Sequence, residues 1–228
     1  MGQHVLTGNP PVEITLRRSA RARRISLRIS GLDGRVTLTH PVQVSEAEAL
    51  DFARRKGDWL RDKLGATPAA VTVDHGALIP FEGRQMRIAA GAPRTRARGD
   101  VLEVPAGRAV GARVRAWLKT QARDRLASAS DRYAAALGQG HAGITLRDTR
   151  SRWGSCSARG GLMYSWRLVM APPDVLDYVA AHEVAHLREM NHSPAYWAVV
   201  ARLLPEYDAP RRWLRENGAS LHRYRFGD

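Results

Sequence analysis

The sequence predicts an α+β protein. A β-rich N-terminal region with one helix, residues 1–106, precedes residues 107–228, where a helix packs on a small sheet. Three observations carry this. Short runs in the N-terminal region alternate apolar and polar residues, the period of a half-buried strand. From Val110 onward apolar residues recur at helical spacing. With 228 residues, 44% of them hydrophobic and 25% charged, the chain can bury one large core or two small ones.

Val12-Glu13-Ile14-Thr15-Leu16, Ile25-Ser26-Leu27-Arg28-Ile29 and Val36-Thr37-Leu38 read as strands. The densest basic run, Arg17 to Arg24, joins the first two. It lacks interleaved aromatic residues to stack on bases, so it reads as a solvated hairpin connection rather than a phosphate-binding loop. Leu32-Asp33-Gly34-Arg35 is a hairpin turn signal. A capping box, Ser45 to Glu48, opens a helix carrying Leu50, Ala53, Leu60 and Leu64 to Gly65. Thr67 to Val73 is a linker into strands at Ala77 to Phe81, Gln85 to Ala90 and Val101 to Val104. Arg94, Arg96 and Arg98 lie on an exposed hairpin before the last of these.

A boundary falls near Pro105 to Gly107, and a long helix follows with Val110, Val114, Trp117, Leu118, Leu126, Tyr133 and Leu137 on one stripe and Gly138 as its stop. Strands at Ile144 to Arg147 and Leu162 to Val169 are joined by the polar stretch Ser151 to Gly161. Pro172-Pro173 opens the next helix, and Asp174 and Asp177 place negative charge at its positive end. Val175, Val179 and His182 share a face. A helix from Pro194 is stopped by Pro205, and a last one, Pro210 to Asn217, ends at Gly218. No internal repeat is evident.

Cys156 is the only cysteine, which excludes an intrachain disulfide and a thiolate metal cluster and fits a reducing compartment. There is no apolar run of membrane-spanning length, and Met1 to Pro11 lacks the apolar centre of a signal peptide; a soluble, cytoplasmic protein with no membrane partner is expected. The net charge of +14 raises nucleic acid or nucleotides as partners. The excess is nearly all arginine in a chain rich in alanine and glycine, a bias that a GC-rich genome also produces.

The chemistry concentrates in His182-Glu183-Val184-Ala185-His186. On a helix, a four-residue step is about 400° of rotation and about 6 Å of rise, so both imidazoles project from one face close enough to hold one ion. Neutral imidazoles suit Zn²⁺, and Glu183 on the rim is placed to act on water at the metal. An open catalytic site needs a third protein ligand. His192 is the natural one, but on a straight helix it would lie about 15 Å from His182. The chain must turn first, and Asn191 offers a helix stop while Ser193-Pro194 caps a new helix. Glu206 or Glu216 would replace His192 in a gluzincin-like site. A metzincin-like site is disfavoured, since Glu189 stands where that pattern has Gly and no Met follows Met190.

Ser151-Arg152-Trp153-Gly154-Ser155-Cys156, then the histidine motif, then Asn191-His192-Ser193-Pro194 with Tyr196-Trp197, resembles the YgjP-like and SprT-like zinc metallopeptidases. The resemblance implies a zincin-like domain with Zn²⁺ on His182, His186 and His192, and Glu183 as catalytic base in hydrolysis of protein or peptide substrates. It also implies an edge strand that aligns an extended peptide beside the metal helix. Arg152 and Tyr196 are candidate substrate or oxyanion contacts. Cys156 reads as a small packed residue before a nucleophile, and Glu189 as either an orienting acceptor for a ligand or half of an ion pair. The alternatives are a metal-dependent nucleotide phosphohydrolase of pyrophosphatase type, and a nucleic-acid-associated protein using the same metal site.

Overall fold

The computed structural model describes residues 2–30, 34–65 and 69–227. The expected α+β class holds, with six α-helices and four small sheets among the described residues. Packing divides the chain into two compact units, Met1–Ala70 and Val71–Asp228.

In the first unit β1 (Gly2–Leu6), β2 (Val12–Arg18), β3 (Ser26–Ile29) and β4 (Val36–His40) form a sheet in the order β1-β2-β4-β3. Val12, Ile14 and Leu16 alternate inward from β2, and Val36 and Leu38 from β4. They bury against Ala49 and Ala53 of α1 (Glu46–Arg55) and Leu60 of α2 (Gly57–Gly65). Strand β1 has no counterpart in the sequence reading. Arg17 to Arg24 is also not a hairpin connection: β2 pairs in parallel with β4, and β3 lies on the far side of β4. The basic run is a crossover, which parallel neighbours require.

The single helix expected through Gly65 breaks at Lys56, whose N–H turns to the carbonyls of Ala53 and Arg54 before Gly57 starts α2. Glycine inside a helix costs about 1 kcal/mol relative to alanine, so a continuous helix gains little there. The cap at Ser45 is present, its hydroxyl accepting from the Glu48 N–H at 3.2 Å. The expected turn at 32–35 and linker at 67–73 lie partly outside the described residues.

The second unit begins with β5 (Val71–Thr72), followed by β6 (Leu78–Phe81), β7 (Arg84–Ala90), β8 (Arg96–Arg98) and β9 (Val101–Val104). The last four form a sheet in the order β6-β7-β9-β8, with β7 parallel to β9 and the outer pairs antiparallel. This repeats the order and sense of the first sheet, although no sequence repeat announces it. Helix α3 (Val110–Leu137) lays Val114, Leu118, Ala122 and Leu126 against this core. Leu118 and Leu126 are fully buried, each contributing about 1.5–3 kcal/mol. Gly138, at φ 65°, ends α3 in the left-handed conformation with its N–H on the carbonyls of Ala134 and Ala135.

A smaller sheet carries the site. Strand β10 (Ile144–Arg147) runs parallel to β12 (Leu162–Ser165), and β11 (Gly154–Cys156) pairs antiparallel on the other side of β12, so β11 is an edge. Its inner face meets α4 (Pro173–Ala185), which α5 (Pro194–Leu203) and α6 (Asp208–Asn217) also flank. Residues of β6, β7 and β9, read from sequence with the N-terminal region, share one core with α4: Ile79, Ile88 and Leu102 cluster with Val175, Val179 and Val184.

The strand expected through Val169 ends at Ser165 and becomes a 3-10 helix, Trp166–Met170. Arg167 is turned inward there. Its guanidinium donates to Asp148 at 2.7 and 3.1 Å and to the carbonyls of Leu221 and Tyr224 at 2.9 and 3.2 Å. A buried charge with so many partners is satisfied, and it ties the C-terminal segment to this sheet. That segment closes with β13 (Tyr224–Arg225), parallel to β5. Among the described residues no helix is long and apolar enough to cross a membrane.

His222 is buried against Trp153, ring centroids 5.1 Å apart. Burial, then the Arg167 charge, lowers its pKa to about 4; Arg150 and Arg225 act the same way, and Asp148 opposes them. Above the unfolded value of 6.5 the ring is neutral in both states. As pH falls from 6.5 toward 4 the unfolded chain takes up a proton that the folded one refuses, and stability is lost. Denaturant titrations across this window are expected to show a shallower decline for His222→Phe than for the wild type, by on the order of 2 kcal/mol. Equal slopes would contradict this account.

Candidate metal centre

Helix α4 opens at Pro173, as predicted, and is buried nearly all round. Ala180, Ala181 and Ala185 let neighbours approach closely. It ends at His186, earlier than expected. Asn191 does not supply the left-handed stop: among the described residues, Glu82 and Ala109 are the non-glycine residues with positive φ. The turn is made instead by the N–H groups of Leu187 and Arg188, which bond the carbonyls of Val184 and Ala185 at 2.9 and 3.1 Å. The Glu189 carbonyl thereby accepts from His186 Nδ1–H at 3.0 Å. A carbonyl can only accept, so His186 carries its proton on Nδ1 and keeps its Nε2 lone pair. Glu189 orients His186, but through its main chain rather than its carboxylate.

Ser193 caps α5, accepting from the Tyr196 N–H at 3.3 Å, and this returns His192 to α4. Among the described residues His182, His186 and His192 are the group able to hold a metal ion, their ligand atoms all within 4.8 Å of one another. The Nε2 atoms of His182 and His192 are 3.2 Å apart. Two nitrogens held at about 2.0–2.1 Å by one tetrahedral ion sit about 3.3 Å apart, so the spacing fits a shared ion. Glu206 and Glu216 are exposed and outside this cluster.

The surroundings keep His182 and His186 neutral. Burial, reinforced by His186 and His192, lowers the His182 pKa to about 3; burial also lowers that of His186. Tyr178, Tyr196 and Trp197 ring His182 at centroid distances of 5.8, 5.3 and 6.0 Å. Tyr196 lies stacked on His186 at 4.5 Å, and its hydroxyl donates to the His182 carbonyl at 2.9 Å. That proton serves the helix end rather than facing an oxyanion.

Glu183 is 4% exposed. Burial pushes its carboxyl up to about 8, with the Arg152 guanidinium pulling the other way. Its neighbour is the residue sequence reasoning missed. A Cβ on Gly154 would lie 2.5 Å from Glu183 Oε1 and 2.6 Å from its Cγ, so the carboxylate rests directly on strand backbone. Glycine inside a strand can mark such a close approach, and that was the available signal.

Cys156 also lines the cleft. Burial and the Glu183 charge raise its pKa, which keeps the thiol protonated, and it donates to the Ser157 carbonyl at 3.4 Å. It is a packed residue. Arg152 is exposed at the start of this segment.

The cleft over the three histidines, about 240 Å³, is bounded by Gly154, Ser155 and Cys156 on one side and by His182, His186, His192 and Glu183 on the other. In β11 the main-chain bonds to β12 alternate. Ser165 N–H donates to Trp153 O at 2.8 Å, and Ser157 N–H donates to Gly161 O at 2.9 Å. The N–H and C=O groups of Gly154 and Cys156 therefore point to the open edge.

A helix bearing two of three histidines able to hold a metal ion, the third from the following turn, a buried carboxyl and an open strand edge define a zincin-like domain. The chain belongs to the YgjP-like family, whose metallopeptidase domain matches residues 23–217. No curated protein and no solved structure matches it. Membership in a metallopeptidase family implies protein or peptide substrates.

Proposed function

We propose that the protein is a zinc peptidase in which His182, His186 and His192 hold the metal and Glu183 is the catalytic base. Every residue given a role lies within 107–228, the part we propose as the peptidase domain. The observation that carries the reading is the juxtaposition of the three imidazoles, their ligand atoms within 4.8 Å, with a buried carboxyl under a strand edge. Bound zinc supplies Lewis acidity toward a carbonyl and toward water. An extended substrate joins the edge of β11 through the main-chain groups of Gly154 and Cys156, which sets its carbonyl beside the ligands. Glu183 takes the proton of the attacking water and returns it to the departing amine; a carboxyl with proton affinity near neutrality suits both transfers. Arg152, exposed yet within electrostatic reach of Glu183, is the candidate oxyanion contact, and Tyr196 is a positioning residue for His182 and His186.

The test is metal analysis with parallel peptide and nucleotide hydrolysis before and after chelation. Peptide cleavage is expected to disappear with the metal and to return with Zn²⁺. Nucleotide hydrolysis with no peptide cleavage by the loaded protein would overturn the reading.

A further inference from the structure

The small sheet has a second face, and it bears on which peptides are cleaved. Leu162 and Tyr164 of β12 turn to the core, with Ile144, Leu146, Gly154 and Cys156 in register beside them. Thr145, Met163 and Ser155 turn the opposite way and floor a groove of about 780 Å³. Its charged lining residues are Arg147 and Arg152, both exposed, and no carboxylate lines it. Asp148, the acid nearest in sequence, is held by Arg167 at 2.7 Å. The groove and the metal cleft are continuous at the edge, since Ser155 and Cys156 border both.

A strand added to β11 alternates its side chains between the two faces. One set faces the metal cleft and the next set enters the arginine-lined groove. We propose that this groove makes the enzyme select peptides with an aspartate or glutamate beside the residue that faces the metal cleft, and that Arg147 is a specificity-determining residue. The inference rests on the peptidase reading given above. Arg147 offers charge-assisted donors to such a carboxylate, with the Ser155 and Thr145 hydroxyls on the floor beneath it. A lysine in the same place would be repelled.

The experiment compares kcat/KM of the zinc-loaded protein for peptides differing by Glu, Gln or Lys at each residue around the cleaved bond. Glu is expected over Lys by about tenfold at alternate positions only, the gap narrowing as salt is raised. Arg147→Gln should flatten the Glu-to-Lys ratio and Arg147→Glu should invert it; each ratio is taken within one variant, so a change in overall rate does not enter. A preference for Glu at every position would reflect the net charge of +14 rather than the groove, and would overturn the proposal. A wild-type ratio near unity, or a ratio that Arg147→Glu leaves in place, would overturn it as well. In these cases peptides are still cleaved and the peptidase reading stands; cleavage of none of them removes both.

Discussion

Replacing Gly154 by alanine is expected to lower kcat/KM by about a hundredfold or more without loss of metal. The new methyl would lie 2.5 Å from Glu183 Oε1 and 2.8 Å from its Cδ, distances no real contact sustains. Strand β11 is held to β12 by its ladder, and Glu183 sits on a helix packed on several sides, so the carboxyl group is the part able to give way. Displacing a catalytic group by about 1 Å costs on the order of a hundredfold. The three atoms nearest this methyl all belong to Glu183, so zinc content measured on the purified variant should match the wild type. Full activity in Gly154→Ala would remove the close contact from the explanation.

Glu183→Gln is expected to keep the fold and the metal and to reduce peptide hydrolysis by about 10²–10⁴-fold, the usual contribution of a general base. The amide has the shape of the carboxyl and fits the same space under Gly154, but it cannot accept the proton of water. Because the two residues act as a unit, the double variant should be little slower than Glu183→Gln alone. Steady-state kinetics with metal analysis on all three proteins tests both predictions together. Additive losses would show that Gly154 acts through something other than the base.

The parts of the site legible in the sequence are those fixed by local spacing. The step from His182 to His186 needs only helix geometry, and Ser193-Pro194 is a cap wherever it occurs, so the return of His192 could be anticipated. Family membership was legible for a related reason: its motifs are contiguous segments within residues 23–217. What escaped depends on contacts between segments far apart. Strand β11 is built from Gly, Ser and Cys, half-buried residues with no alternation to read, and only its pairing with β12 makes it a strand. Asn191 carries a helix-stop signal that places the end of α4 too late, whereas the local bonds at Val184 and Ala185 decide the matter earlier. The crossover of Arg17 to Arg24 reads as a hairpin because two alternating runs with a short polar join have the same pattern whether or not the runs are neighbours.

Gly154 presents bare backbone. It lies both against the base and on the edge proposed to receive the substrate, so the distance from the base to the bound chain is counted in residues along a single strand. Strand pairing has a period of two, and a substrate shifted by one residue would present every side chain to the wrong face. Productive binding then admits only registers two residues apart, and a side chain lodged on the outer face chooses among them. Where a peptide is cut would be a matter of phase along its backbone, with no deep pocket needed to define it.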